Sequence, residues 1–292
     1  MRKKAALLTI HGMGKTEKTY ADTFFNKLSN KLGSRFNGLH TDKIYYQDIL
    51  QGNEDKVWGK VMDTVRWLDL RQFVLFGFGD AAGLEAKKDH PNSVYTQAQS
   101  KIGKVLLDTF DKIEDNAPVF ILAQSLGCQV ASCYFWDAQE YLKGGPVTAG
   151  IWKNNNDLNL YVNDGKQLRP EQIDFLTGKR FNYFYTTGCN IPIFVAAHAT
   201  EDVLPIKPNS SFVWKNYYDK DDVLGWPLEK LSDEYGLVVK DYPINAGGGP
   251  FGWIGKSWNP MSHTQYWEDD DVLEPLVENL KQYLPIASKP QH

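Results

Sequence analysis

The stretch that decides the fold is VFILAQSLG at residues 119–127, which continues as CQVAS at residues 128–132. An apolar run leads into a small-x-Ser-x-Gly turn, and small residues follow it. This order predicts a buried strand, a sharp turn at Ser125 and a helix. A serine on such a turn needs small neighbours two positions away on each side, because larger side chains would collide with the strand and the helix. Ala123 and Gly127 meet that requirement.

Two backbone N–H groups are predicted to form an oxyanion hole beside Ser125. The first belongs to Leu126, at the N-terminus of the predicted helix, where N–H groups stabilise negative charge. The second belongs to Met13, within AALLTIHGMG at residues 5–14. That segment reads as a strand that ends in His-Gly-x-Gly, and the two glycines that flank Met13 would let the main chain approach a substrate.

The same turn contains Gly14-Lys15-Thr16, which looks like the end of a phosphate-binding P-loop. That motif requires a small residue five positions before its second glycine. The residue there is Thr9, inside the predicted strand, and only three residues separate His11 from Lys15. The loop is too short to wrap a phosphate, so the sequence argues against a nucleotide-dependent enzyme of this class.

The histidines narrow the choice of a general base. The chain order Ser, acid, His requires a base near the C-terminus. His263 lies in NPMSHTQYW at residues 259–267, before the terminal helix, and we expect it to reach Ser125 as the base. His11 is interpreted as a brace for its loop, and His292 is the last residue. The other histidines are His40, His90 and His198.

The acid of a triad is expected on a turn between Ser125 and His263. FVWKNYY at residues 212–218 predicts the strand before it, and DKDDVLG follows at residues 219–225. Asp221 is predicted as the acid, because the apolar residues after it would be buried beneath a turn that folds back over the sheet. The alternatives are Asp222, Asp219 as a cap of the turn, and Glu201 or Asp202 after an earlier strand-like segment.

Composition is that of an ordinary folded protein. Of the 292 residues, 42% are apolar and 23% are charged, so the chain can bury a core beneath a solvated surface. The net charge of −4 argues against nucleic acid or a polybasic membrane anchor as a partner. Three cysteines suit a reducing compartment, and no stretch approaches the ~20 apolar residues of a membrane span. We therefore expect a cytoplasmic protein without stable membrane insertion.

Strand and helix patterns alternate along the chain. This alternation predicts an α/β fold with a mostly parallel sheet of about six strands and helices on both faces. No repeat or linker divides the sequence, so one domain is expected for residues 1–292. The strand candidates are Ala5–Ile10, Lys43–Tyr46, Val119–Ala123, Phe181–Thr186, Phe212–Tyr218 and Leu237–Tyr242. The helical patterns are Tyr20–Leu32, Ile102–Ile113, Leu126–Leu142 and Asp269–Leu284.

Two insertions interrupt the alternation, at residues 51–99 and 144–179. The first has helical spacing up to a Gly-rich stretch, Gly77–Gly83, which is interpreted as a break. In the second, NDG at residues 163–165 is interpreted as the turn of a small hairpin. Long excursions from an α/β core often form lids or pocket walls, and they are also found as inert decoration. Both interpretations stay open.

The motifs resemble those of the α/β-hydrolase superfamily, and within it the lipase- and esterase-like serine hydrolases. Ala123 stands where the family's nucleophile turn begins with glycine, as in some lipases of that superfamily. The family's first two strands have no room before Ala5, so the resemblance implies a sheet that begins at the strand carrying His11. The matching segments occur in the family's order and are HGMG at residues 11–14, AQSLG at 123–127, DDVLG at 221–225 and SH at 262–263.

The resemblance and the residues together imply hydrolysis of carboxylic esters through an acyl-enzyme. Ser125 would attack the carbonyl, His263 would take its proton, and Asp221 would orient the imidazole. No cofactor is required, and the histidines and cysteines lack the spacing of metal ligands. A short-to-medium acyl or lipid-like ester is the favoured substrate. The alternatives are a thioesterase or lipid-linked ester deacylase on the same triad, and a non-catalytic binding module on a hydrolase scaffold.

Overall fold

The strands that carry the predicted motifs lie in one sheet. The computed structural model describes residues 2–14, 16–49, 51–64, 66, 68–196, 198–199, 202–245 and 266–286. Its strands are β1 (Ala5–Ile10), β2 (Leu39–Ile44), β3 (Val119–Gln124), β4 (Phe181–Thr187), β5 (Val213–Asp219) and β6 (Val239–Ile244). All neighbours pair in parallel, in the order β2-β1-β3-β4-β5-β6. The prediction of an α/β fold with about six parallel strands is confirmed, and this sheet is compatible with the α/β-hydrolase fold.

Ten helices are present in the described part of the chain. They are α1 (Asp22–Leu32), α2 (Gln51–Val61), α3 (Leu68–Glu85), α4 (Val94–Lys112), α5 (Leu126–Lys143), α6 (Asn155–Asn163), α7 (Pro170–Leu176), α8 (Ile191–Val195), α9 (Asp233–Val238) and α10 (Asp270–Lys281). None of these helices has the length and apolar character needed to cross a bilayer.

Both faces of the sheet are covered by apolar side chains. In β1, Ala6 and Leu8 pack into a cluster with residues of α4 and α5. Ala5 and Leu7 pack into a second cluster with residues of α1 and α10. Successive side chains of a strand point to opposite faces. A strand buried on both sides is therefore apolar at nearly every position, which explains the continuous run of β1.

The order of the strands brings the predicted motifs to one edge of the sheet. β1 and β3 are neighbours, with Ile10 paired to Ala123, so the chain leaves both strands side by side. The His-Gly-Met-Gly turn therefore lies next to Ser125. The turn after β5 lies two strands away, with β4 between.

The interpretation of Gly77–Gly83 as a helix break is wrong, because α3 runs through it. The reason is close packing. A Cβ at Gly77 would lie 2.6 Å from the Met13 Sδ, and one at Gly79 would lie 2.9 Å from a carboxyl oxygen of Glu54. These glycines let α3 approach its neighbours and do not end it.

The interpretation of residues 163–165 as a hairpin turn is also wrong. They end α6, where Asp164 is the C-cap with a φ of 50°. The side chain of Asn154 accepts a hydrogen bond from the Asp157 N–H at the other end of this helix. Leu158 is buried within the helix. Asparagine and glycine tolerate the left-handed conformation that ends helices as well as the one that closes hairpins, so the local signal is shared.

We predict that Leu276→Ala destabilises the protein by about 2–5 kcal/mol, because the side chain is fully buried between α10 and the sheet. Glu278→Ala on the exposed side of the same helix is the matched control, with a change of about 0.5 kcal/mol or less. Urea unfolding measures both. Equal effects of the two substitutions would contradict the packing of α10 described above.

Candidate active site

Ser125 sits on the turn between β3 and α5 in a strained backbone conformation. Its φ is 52° and its ψ is −124°, although it carries a side chain. Such a conformation costs an L-residue about 1–3 kcal/mol and is kept only where the surroundings enforce it. Here the Ser125 N–H donates to the Thr187 carbonyl at 2.9 Å, and the Cys128 N–H donates to the Ser125 carbonyl at 3.0 Å.

Two glycines make this turn possible. A Cβ on Gly12 would lie 2.8 Å from the Cβ of Ser125. A Cβ on Gly127 would lie 2.4 Å from the His11 carbonyl oxygen. Real Cβ atoms do not approach other atoms so closely, so both positions require glycine while the turn keeps this shape. The loop at residues 11–14, here called the oxyanion loop, is therefore pressed directly against Ser125.

The hydroxyl of Ser125 is buried and has no hydrogen-bond partner among the described residues. The predicted base, His263, lies outside the described residues, as does the alternative acid Glu201. Asp202 is described and exposed, after α8. The geometry between Ser125 and its predicted base therefore stays a prediction.

The two predicted oxyanion donors belong to segments that adjoin Ser125, because Leu126 follows it in the chain and Met13 follows Gly12, which packs against its Cβ. Leu126 is the first residue of α5, where the backbone N–H has no intrahelical acceptor. Met13 lies in the oxyanion loop, with its side chain against Gly77 of α3. Within the described parts of the chain, neither N–H donates to an acceptor. Their role as oxyanion donors stays a prediction.

His11 braces the oxyanion loop. The Tyr46 N–H donates to its Nε2 at 3.1 Å, so Nδ1 carries the proton and donates to the Gly12 carbonyl at 2.8 Å. Its ring stacks on Tyr46 with 4.1 Å between centroids. Burial lowers the pKa of His11 to about 4, so the imidazole is neutral at pH 7. Because both nitrogens are engaged, His11 has no free lone pair for the role of general base.

The aspartates of the turn after β5 differ in burial and in hydrogen bonding. The Asp221 N–H donates to the Asp219 Oδ1 at 2.9 Å, which closes an Asx turn and gives Asp219 the capping role. Asp221 is exposed, whereas Asp222 is 6% exposed. The Asp222 carboxylate accepts hydrogen bonds from the Leu224 N–H at 3.0 Å and from the Tyr266 hydroxyl at 2.8 Å. Burial with fixed donors is what holds a carboxylate in one orientation.

The turn at residues 219–225, here called the acid turn for its three aspartates, is bonded by Tyr266, which sequence reasoning did not single out. Its hydroxyl donates to Asp222 and accepts from the Asp219 N–H at 2.9 Å. Burial raises the pKa of Tyr266, so it stays a donor across the physiological range. The only signal in the sequence is its position three residues after His263.

Two buried carboxyl groups of the 51–99 insertion also meet the site, and sequence reasoning missed both. Asp80 of α3 accepts a hydrogen bond from the Gly14 N–H at 2.9 Å. Glu54 of α2 lies close to Asp80, which helps to raise its pKa. Nothing in their local sequence separates them from surface acids, because the contact joins elements far apart in the chain.

A groove of about 560 Å³ runs along α5 and begins one helical turn from Ser125. Polar and apolar side chains share its walls. Those from α5 and α8 include Gln129, Cys133, Trp136, Ile191 and Phe194.

The described residues contain one group that could together ligate a metal ion. It consists of His40, Asp42 and Asp108, on β2 and α4. The ammonium group of Lys112 donates to Asp108 and already supplies a positive charge there. This cluster is separate from Ser125 and its neighbours.

Comparison with protein-family models, with curated proteins and with solved structures gives no match to this chain. The site is therefore interpreted from its own geometry.

We predict that Ser125→Gly is more stable than Ser125→Ala by about 1 kcal/mol or more. Both substitutions remove the hydroxyl, but only glycine relieves the cost of a side chain at a φ of 52°. Urea unfolding of the two variants at one pH measures the difference. Equal stability, or a more stable alanine variant, would contradict the strained turn.

Proposed function

We propose that the protein is a serine hydrolase that cleaves carboxylic esters through an acyl-enzyme. Ser125 attacks the ester carbonyl, and His263 takes the proton of its hydroxyl and later returns it to the leaving alcohol. An aspartate of the turn after β5 fixes the imidazole. The N–H groups of Met13 and Leu126 hold the oxyanion of the tetrahedral intermediate. The observation that carries the proposal is the strained turn at Ser125, wedged between two glycines.

A serine that merely started a helix would be built differently, and this chain contains the contrast. Ser93 precedes α4 with an extended backbone, and its side chain accepts a hydrogen bond from the Thr96 N–H. That is the ordinary N-cap arrangement. Ser125 has neither feature, since its φ is positive and its side chain makes no cap. Strain without a capping bond supports a role for the hydroxyl itself.

Of the candidate acids, the structure favours Asp222. An acid that orients a histidine must itself be held still and kept from water. Asp222 is buried and bonded by Leu224 and Tyr266, whereas Asp221, the residue predicted from the sequence, is exposed. A Cβ on Gly225 would lie 2.6 Å from the Asp222 Oδ2, so the turn closes tightly around this carboxylate.

The acyl group is assigned to the groove along α5. Its apolar walls suit a short-to-medium acyl chain or a lipid-like one. The triad itself does not select among oxygen esters, thioesters and lipid-linked esters. A panel of acyl esters and thioesters graded by chain length separates these substrates, and substitution of Trp136 by alanine would lower kcat/KM most for the chain length that fills the groove.

The proposal is tested by reaction with a fluorophosphonate, followed by intact mass and peptide mapping. A single adduct on Ser125 that is absent from Ser125→Ala is the expected result, because the reagent requires a serine activated by a base and facing an oxyanion hole. A folded protein that takes no adduct and hydrolyses no ester would overturn the proposal. A binding module on a hydrolase scaffold would then be the better description.

We predict that Asp222→Asn lowers kcat on the order of 10³–10⁴, because an amide leaves the imidazole in the wrong tautomer. Asp221→Asn is the matched control and should change kcat by less than about threefold. Steady-state hydrolysis of one ester measures both variants. The reverse pattern would assign the acid to Asp221, as the sequence predicts.

A further inference from the structure

The oxyanion loop is held from outside the sheet by a carboxyl group of the insertion. Asp80 is fully buried in α3, and its Oδ2 accepts the hydrogen bond from the Gly14 N–H at 2.9 Å. Gly14 has a φ of 88° and belongs to no regular element, so its N–H has no partner from a strand or helix. A charge-assisted bond of this kind is about twice as strong as one between neutral groups.

A second carboxyl group lies close to that of Asp80. Glu54 is 8% exposed, and the charge of Asp80 is one of the causes that raise its pKa. An ionised carboxylate only accepts hydrogen bonds, so two carboxyl groups in contact need a proton between them. One oxygen of each, the Asp80 Oδ1 and the Glu54 Oε1, is buried without a hydrogen-bond donor among the described residues, so a shared proton has a place there.

Within the described parts of the chain, the groups that face this pair supply no positive charge at contact distance. Gln47 donates to the Glu54 Oε2 at 3.5 Å, and the hydroxyl of Tyr46 lies near Asp80 without ionising, because burial raises its pKa. On α2, Asp55 adds a negative charge close to Glu54. Lys87 and His90 line a second cavity, separate from the groove along α5, and Glu54 lines it as well. Burial and Asp80 raise the pKa of Glu54 to about 8, and burial raises that of Asp80.

Helix α3 of the insertion also contacts the side chain of Met13 in the oxyanion loop. Gly77 lies one helical turn before Asp80 on α3, and a Cβ there would lie 2.6 Å from the Met13 Sδ. Helix α3 therefore contacts the loop twice, at the Met13 side chain and at the Gly14 N–H. The Met13 N–H, the proposed oxyanion donor, belongs to the residue of the first contact and is one residue before the second.

We infer that Asp80 is a positioning residue for the oxyanion loop, and that one proton shared with Glu54 keeps it in place. This inference rests on the proposed function, because the donor that Asp80 positions is the Met13 N–H. With one proton, the pair carries a single negative charge, and Asp80 accepts from Gly14. When that proton leaves, two buried like charges repel each other, and the loop loses its anchor.

The first test compares Asp80→Ala with Asp80→Asn. Alanine removes the acceptor for the Gly14 N–H, and we expect kcat and the rate of fluorophosphonate labelling to fall about 100-fold, with KM changed less than about threefold. Asparagine keeps an acceptor oxygen and should recover at least tenfold of that loss. Gly77→Ala, which pushes on Met13 from the same helix, should lower kcat in the same way.

The second test is the pH profile. Loss of the shared proton should end activity on the alkaline side near pH 8, because the pKa of Glu54 is raised to about 8. In Glu54→Gln the amide donates to Asp80 at every pH, so this alkaline limb should move up by at least one pH unit. Asp55→Asn removes a nearby negative charge that helps to raise the pKa of Glu54, so it should move the limb down, in the opposite direction to Glu54→Gln.

The same proton makes a prediction for stability. The ordinary pKa of a glutamate is 4.5, and the pKa of Glu54 in the folded protein is about 8. The contribution of Glu54 to the free energy of unfolding is therefore fully present below about pH 4.5 and is lost as the pH rises towards 8. Between pH 5 and 8 the free energy of unfolding should therefore decrease less in Glu54→Gln than in the wild-type protein. Urea titrations at several pH values measure this difference.

The outcomes separate the two proposals. If the wild-type protein takes the adduct on Ser125 and Asp80→Ala, still folded by its unfolding curve, labels at the same rate, the positioning role is overturned and the hydrolase stands. An alkaline limb unmoved in Glu54→Gln overturns the shared proton. If the folded wild-type protein takes no adduct and hydrolyses no ester, the hydrolase is overturned and the positioning role with it. If Asp80→Ala does not fold, Gly77→Ala and Asp80→Asn decide the point.

Discussion

Ser125 adopts a backbone conformation that costs about 1–3 kcal/mol, and the strands around it must make up that cost. They do so because β1 and β3 are neighbours, which brings Gly12 and the His11 carbonyl against the turn. The Thr187 carbonyl, at the end of β4, accepts from the Ser125 N–H. The strained turn therefore exists only while three adjacent strands keep their register.

The acid turn depends on the sheet in a less direct way. β5 is separated from β3 by β4, so the turn that follows β5 must reach back across the end of one strand. Tyr266 helps to fix it there, since its hydroxyl bonds both Asp219 and Asp222 while its ring is buried in the cluster beneath α1 and α10. The position of the Asp222 carboxylate thus depends on the packing of the sheet face covered by α1 and α10. A substitution in that cluster would reach the site through this one side chain.

The parts of the molecule that follow from the sequence are those that local pattern determines. β1 and β3 are apolar at almost every position because they are buried on both faces, and that pattern is legible without a structure. β2 begins at Leu39, four residues before the predicted start at Lys43, because only its ends are buried and its middle is polar. The glycine at position 77 suggested a helix break, but it leaves room for the side chain of Met13. That contact joins residues far apart in the chain, so the local sequence does not reveal it. The exposure of Asp221 and the burial of Asp222 likewise depend on Tyr266, a contact that local spacing does not encode.

Asp80 and Glu54 pose a physical question, because buried carboxyl groups are costly and an apolar pair of similar volume is often at least as stable. Their retention inside the insertion makes sense if direction matters more than stability. The Gly14 N–H needs an acceptor, and a loop between a strand and a helix offers no ladder partner. A carboxylate supplies an acceptor at a defined point, and the second carboxyl, with its proton, supplies the donor that keeps the first in place. On the proposed function, the insertion supports the oxyanion loop, because Asp80 and Gly77 of α3 both contact it.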